Sequence, residues 1–515
     1  MGQSKRMKQN AETLNNNVQS NAQGKKPNQK KTDARTVLAQ IFQRKWLVIF
    51  AAFVGICHFL ICQLKYFFEM DAIQDAEIYF CIALGIYYLA YLLVNKPQIR
   101  FRPETGLLII LMVWFFISCY AMETSYNQPW IEANQRTLID TGIALLAFFP
   151  LGTFIGKAIA GDKNSATIRS LKIILSVLLF VWTAFIVFVL YHIFQLHVLR
   201  TPGGGQIGMT RKAALNLSCY YNTTGAWQML FVMACFCMMI WMKHPVMKVL
   251  YGLSTLINLV ALYLSNSRTA LVATVVGCAG IMFVLVYKLT AGHEVSNLKN
   301  IRIKPLLAAA GAAIGLGALL FVGRTLTYQI FQSVTHFNEI MASSSGSVSS
   351  SGAEDTMIRE VFDSSTATLT GRTDIWAGAL KGMVSSVQRF FLGVTPVGVN
   401  SLISLMTDGK YDMYTHNQFL EVGVALGVPA MCAFIVWFVL ILKAGYVQLK
   451  KEFNYSMLLI VFVLALMLGN MAEATLMFYQ FITGHAFFFL CGWIYGWLAY
   501  VEKPITNRQQ RRRKR

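Results

Sequence analysis

The chain is short of charge. Acidic and basic residues together make up 13% of its 515 residues, about half the ~25% of an ordinary soluble domain, which excludes a water-facing globule. It has no H-E-x-x-H, no carboxylate pair at metal spacing in its polar segments and no second histidine at ligand spacing from His416. No catalytic metal or other cofactor is therefore expected. Its ten cysteines fall mostly within apolar runs, and Cys235 and Cys237 point to different faces of a helix, so neither a disulfide framework nor a thiolate site is expected. Despite a net charge of +21, there is no basic domain with interleaved aromatics, so nucleic acid is not an expected partner. The short alternating strands of an outer-membrane barrel are missing, as is a clear internal repeat. The first apolar run is too long for a signal h-region and lacks a small-residue cleavage site, so it should be retained.

What the chain has is apolar length. Apolar residues are 56% of it. Runs near the ~20 residues that cross a bilayer recur about twelve times, at 46–64, 77–94, 106–122, 139–156, 171–194, 225–242, 249–265, 269–287, 305–323, 419–442, 456–474 and 480–500. In lipid each span must satisfy its own backbone, which selects helices. The expected fold is all-α and polytopic, about twelve transmembrane helices with a large extracytoplasmic loop between helices 9 and 10. Residues 1–45 read as a disordered basic cytoplasmic tail, 46–323 as helices 1–9, 324–418 as the loop, 419–500 as helices 10–12 and 501–515 as a second basic tail.

Charge distribution orients the chain. The 45 Lys and Arg outnumber 24 acids, and the excess crowds into the ends, at 5–45 and 508–515. With both ends inside, the inner segments carry most of the basic residues and the outer segments are net acidic, as positive-inside topology requires. The tails then anchor the topology and attract anionic lipid.

Two outer segments interrupt the spans. Residues 195–224 contain Pro202-Gly203-Gly204-Gly205 and Arg211-Lys212. Residues 324–418 contain a Ser/Gly stretch at 341–353, then Gly371-Arg372-Thr373-Asp374-Ile375-Trp376 leading into apolar residues at helical spacing, and finally His416-Asn417. A polar loop this long is usually functional or disordered. Ser265-Asn266-Ser267-Arg268-Thr269 forms a further polar break at the outer membrane surface.

These breaks supply the candidate chemistry. Arg268 near the membrane is costly unless it meets water or an anion, and its planar fork suits phosphate; a lipid headgroup or local acid is the alternative partner. Arg372 opens a helix whose first amides also attract anions, with Asp374 or another loop acid as the alternative partner. Arg211 lies in the Gly-rich loop and reads either as an anion ligand or as a solvated charge. His416 titrates in the range that moves protons, or else packs beside a helix start. Asn417 reads as a helix cap. Glu421, one turn on, is placed to orient His416 or an arginine. Few ionisable residues fall deep in the spans; His58 and Glu473 are the exceptions.

Ser267-Arg268, Gly371-Arg372 and His416-Asn417-x9-Gly427, in this order on a many-span chain, resemble the O-antigen ligase and polymerase superfamily. The resemblance covers roughly 222–436. The family's second glycine is replaced here, the run being Gly427-Val428-Pro429-Ala430. The resemblance implies a metal-independent glycosyltransferase outside the cytoplasmic membrane, using a glycan on polyprenyl (undecaprenyl) diphosphate as donor. Arg211, Arg268 and Arg372 would bind the diphosphate. His416 would act as base on the acceptor hydroxyl or hold the phosphate as a cation, supported by Asn417 and Glu421. The acceptor stays open among lipid A core, a second lipid-linked repeat and protein, so ligase, polymerase and protein oligosaccharyltransferase all fit. A lipid-linked glycan flippase is the reading from another class.

Overall fold

A computed structural model describes residues 103–126, 129–161, 166–200, 206–209, 214–217, 221–291, 302–336, 371–449, 453–478 and 482–501. The tail at 1–45, the first two apolar runs, Arg211, the Ser/Gly stretch and residues 502–515 lie outside them. The described residues form an α-helical membrane protein, as composition requires. Eight helical segments among them are long and apolar enough to cross a bilayer.

In chain order the helices are α1 (Pro103–Tyr126), α2 (Trp130–Ile143), α3 (Phe149–Gly161), α4 (Ala166–Phe194), α5 (Tyr221–Trp241), α6 (Pro245–Leu264), α7 (Arg268–Ala291), α8 (Ile303–Thr335), α9 (Arg372–Met383), α10 (Val387–Leu392), α11 (Thr395–Met406), α12 (Gln418–Leu426), α13 (Val428–Leu449), α14 (Phe453–Gly469) and α15 (Ile482–Val501). A π-helical turn, Ala144–Phe148, joins α2 to α3. Helix α5 is central: 78% of its span is buried, against 17% for α8. Its Trp227 and Phe231, one turn apart, both meet Trp182 of α4, and the Phe231 ring stacks at 4.3 Å.

Three boundaries differ from the hydropathy reading. First, α8 runs on to Thr335, past the expected end at 323. At ~1.5 Å per residue its 33 residues measure roughly 50 Å, against a hydrocarbon core of ~30 Å. Tilt and protrusion take up the surplus. Second, the run 419–442 is two helices. It breaks at Gly427 (φ 89°), which ends α12, and Pro429 then sits in the first turn of α13, where a missing N–H costs nothing. Third, α14 stops at Gly469, and residues 470–478 form a loop inside an apolar run. Side chains satisfy its backbone: Asn470 Oδ1 accepts from Thr475 N at 2.6 Å, and Gln418 Oε1 accepts from Leu476 N at 2.9 Å. Non-helical backbone at such a position requires partners of this kind.

The segment after α4 carries a small antiparallel sheet, β1 (Leu199–Arg200), β2 (Gln206–Met209) and β3 (Leu215–Leu217), in the order β1-β2-β3. Ile207 pairs with Leu217, and both are buried in the main core. Strands of two to four residues are too short to leave a readable alternation.

The closest helix pair is α3 with α15. Gly152 and Gly156 meet the backbone of Phe489 and Trp493, and Gly492 and Gly496 meet that of Phe149 and Thr153; a Cβ on Gly152 would stand 1.9 Å from Phe489 O, one on Gly496 1.9 Å from Thr153 O. Two small-xxx-small stripes thus bring the backbones together, as membrane helices do when packing rather than hydrophobicity drives association.

Candidate functional site

The spacing His416-Asn417-x9-Gly427 has a direct structural meaning: the nine intervening residues are helix α12. Asn417 caps it, its Oδ1 accepting from Phe419 N at 3.0 Å and Leu420 N at 3.2 Å. Gly427 ends it where only hydrogen fits, since a Cβ there would lie 2.2 Å from Phe391 O. His416 precedes the cap with φ 52°, a left-handed conformation few side chains adopt. That geometry turns the imidazole out of the helix line.

The imidazole meets a carboxylate. His416 Nδ1 lies 3.1 Å from Glu473 Oε2, and Nε2 lies 3.3 Å from Met413 Sδ. Arg372 Nη2 donates to Glu473 Oε1 at 2.8 Å, and Tyr414 OH donates to Oε2 at 2.8 Å. Glu473 is 4% exposed at its side chain, Arg372 15% and His416 14%. An isolated buried carboxylate would cost several kcal/mol; the Arg372 and Tyr414 donors offset that here. Burial first, and then the facing Glu473 carboxylate, push the Tyr414 phenol well above its usual range, so it keeps its proton and donates.

Helix α9 positions Arg372. Gly371 precedes it at φ 77°, Arg372 is the first helical residue, and Trp376 Nε1 donates to Thr415 O at 3.0 Å, tying the helix to the His416 loop. Asp374 does not pair with Arg372. It bonds Lys410 at 2.6 Å on the exposed side, and that ammonium holds its carboxyl below the usual carboxylate range. Glu421 also differs from expectation. Its Oε2 accepts from Thr415 N and Thr415 Oγ1, both at 2.8 Å, so it braces the loop ahead of His416 and touches neither the imidazole nor an arginine through these bonds.

Arg268 opens α7 after a tight turn in which Asn266 adopts φ 54°. Buried Arg324 of α8 donates from Nη2 to Asn266 Oδ1 at 2.7 Å and fixes this turn. Ser267 and Thr269, either side of Arg268, line a cavity with Asn222, Asn470, Glu473 and Thr475. The turn carrying Arg268 thus shares a cavity with the carboxylate that holds Arg372 and His416. Both arginines occupy a first helical turn, where helix amides point outward and the dipole disfavours a cation by ~0.3–1 kcal/mol. An anion placed there would reverse the sign of that effect. No groups of three or more His, Cys, Asp and Glu able to hold a metal ion occur among the described residues.

The sequence reading missed Glu473 as a site residue, and Tyr414 and Arg324 altogether. For Glu473 the signal was an acid inside an apolar run; Arg324 stood at the edge of a helix thought to have ended.

No curated protein matches the chain. Residues 253–435 match the family described as O-antigen ligase, a segment that contains Arg268, Arg372, His416, Asn417, Glu421 and Gly427 and stops short of Glu473. That match, set within a fold of membrane helices, supports the O-antigen ligase/polymerase superfamily.

Proposed function

We propose that the protein transfers a glycan from a polyprenyl (undecaprenyl) diphosphate to an acceptor hydroxyl at the outer face of the bacterial cytoplasmic membrane, as an O-antigen ligase does. The observation that carries this reading is one buried carboxylate, Glu473, holding both a guanidinium and an imidazole. That pairing supports a reading in which anion binding and proton transfer, the two needs of the reaction, work side by side. His416 takes the proton of the acceptor hydroxyl. The acceptor oxygen forms its bond to the anomeric carbon, the anomeric C–O bond to phosphate breaks, and the electron pair passes to the polyprenyl diphosphate. Arg268 and Arg372 face that growing charge as fixed cations, with Arg211 as a third, and no metal or other cofactor is required. Grooves between the membrane helices take the polyprenyl tail. Lipid A core, a second lipid-linked repeat and a protein hydroxyl are the acceptor classes.

The test is reconstitution of the purified protein with a polyprenyl-diphosphate glycan and each acceptor class. Glycan should appear on one acceptor, at an undiminished rate in excess EDTA. Loss in EDTA that magnesium or manganese restores overturns the arginine mechanism.

In the same assay Arg268→Ala and Arg372→Ala should each lower turnover by ~10²-fold or more, the usual worth of a fixed group aimed at developing charge. Lysine at either position should restore only part, because it keeps the charge and loses the bidentate fork. Full activity in both alanine variants would sink the assignment.

A further inference from the structure

Glu473 lies outside the segment that matches the family, yet the site is built around it. Its Oε1 accepts from Arg372, and its Oε2 faces Tyr414 OH and His416 Nδ1. The residues after His416 fix where this carboxylate stands. Asn417 Nδ2 donates to Met471 O at 3.1 Å, Gln418 N donates to Asn470 O at 2.9 Å, and Gln418 Oε1 takes Leu476 N. One tripeptide thus supplies the imidazole and clamps the loop 470–478 opposite it.

We propose that Glu473 is the positioning residue that registers His416 against Arg372 and fixes the imidazole tautomer, with the proton on Nδ1 and the lone pair on Nε2. The chemistry of the contacts dictates this assignment. Tyr414 donates to Oε2, so Oε2 acts there as an acceptor. A neutral ring presenting a lone pair at Nδ1 would place two acceptors 3.1 Å apart; a protonated Nδ1 makes the same contact a hydrogen bond. The other ring nitrogen of a neutral histidine is then the basic one. Nε2 faces Met413 Sδ at 3.3 Å; a thioether is only a weak acceptor, so the ring's one proton goes to the carboxylate, and the flexible Met chain can move aside. The acceptor hydroxyl approaches at that position. Glu473 uses one of the five guanidinium donors of Arg372, so the pairing orients the fork while other N–H groups serve the diphosphate.

The proposal rests on the glycosyl-transfer reading for its catalytic meaning, and its test separates the two. Full-length protein labelled with 15N-histidine has eight histidines. In its neutral ring, the resonance that disappears in His416→Gln should be the Nδ1-protonated form. Glu473→Gln should move it toward the Nε2-protonated form that free histidine favours. An Nε2-protonated His416 in the unaltered protein overturns the proposal, whether or not transfer is detected. In the transfer assay Glu473→Gln should lower kcat by ~10²-fold, within the range of general-base effects, with a few-fold change in donor KM, and Glu473→Asp should recover part. In a His416→Gln background Glu473→Gln should cost little more, because groups acting as a unit are not additive. Losses that multiply mean that Glu473 does not act through His416. Absence of transfer to any acceptor by the unaltered protein defeats the functional reading and leaves the tautomer result to decide the role of Glu473.

Discussion

His416→Ala should lose ~10²–10⁴-fold in turnover, the range of a positioned general base, while still binding the lipid-linked donor. The separation follows from the geometry. Arg372 is held by Glu473 through the oxygen that His416 does not use, and Arg268 sits on a different turn. Removing the imidazole therefore leaves both arginines in place. Retained donor binding with lost turnover marks proton transfer; loss of both marks a phosphate-holding cation. His416→Gln sharpens the test, because an amide can fill the space and cannot titrate. Near-normal turnover of that variant from pH 6 to 9 would show His416 to be a spacer ahead of the Asn417 cap.

Gly427→Ala should be among the most destabilising single-methyl changes in the chain. Two effects add. At φ 89° and ψ 166° the backbone lies in a region essentially reserved for glycine, a cost of ~1–3 kcal/mol to an L-residue. The new Cβ would also stand 2.2 Å from Phe391 O and 2.4 Å from its carbonyl carbon, backbone atoms that cannot rotate away. Gly409 is the control, with φ 75° and nothing within 4 Å of its Cβ. Gly409→Ala should cost the conformational part alone. Thermal unfolding in detergent should show a markedly larger fall in Tm for Gly427→Ala, along with loss of transfer as α12 shifts and takes His416 with it. Equal falls for the two variants would disprove the close approach.

Local signals were legible where they were strong. Composition and apolar run length gave a helical membrane protein, and the motif His416-Asn417-x9-Gly427 became a cap, a nine-residue helix and a stop. Arg372 and His416 were read separately and meet on one carboxylate. That carboxylate was not legible, because partners 101 and 57 residues away in the chain leave no trace in local periodicity. In an apolar run, a loop held by Asn470, Thr475 and a distant Gln418 looks like a helix. Glu421 was placed on its helix, and its bonds to Thr415 were not foreseen, since helical spacing says which face a residue occupies and not what stands opposite. The α8 boundary failed for a related reason. Hydropathy falls where a helix leaves lipid, while its hydrogen bonds continue.

The glycine stripes of α3 and α15 also impose an order on biogenesis. Glu473 leaves the ribosome before α15 does, yet its loop is braced from α15. Thr483 Oγ1 donates to Thr475 O at 3.1 Å, and Gly484 packs so closely on Leu476 O that a Cβ would stand 2.5 Å from it. Until α15 has entered the membrane and seated Gly492 and Gly496 on the backbone of α3, the loop lacks this brace. His416 and Arg372 then lack the carboxylate that joins them. The site is therefore completed by the last described helix to be made, and a nascent chain holding only the earlier described helices in the bilayer has no assembled centre.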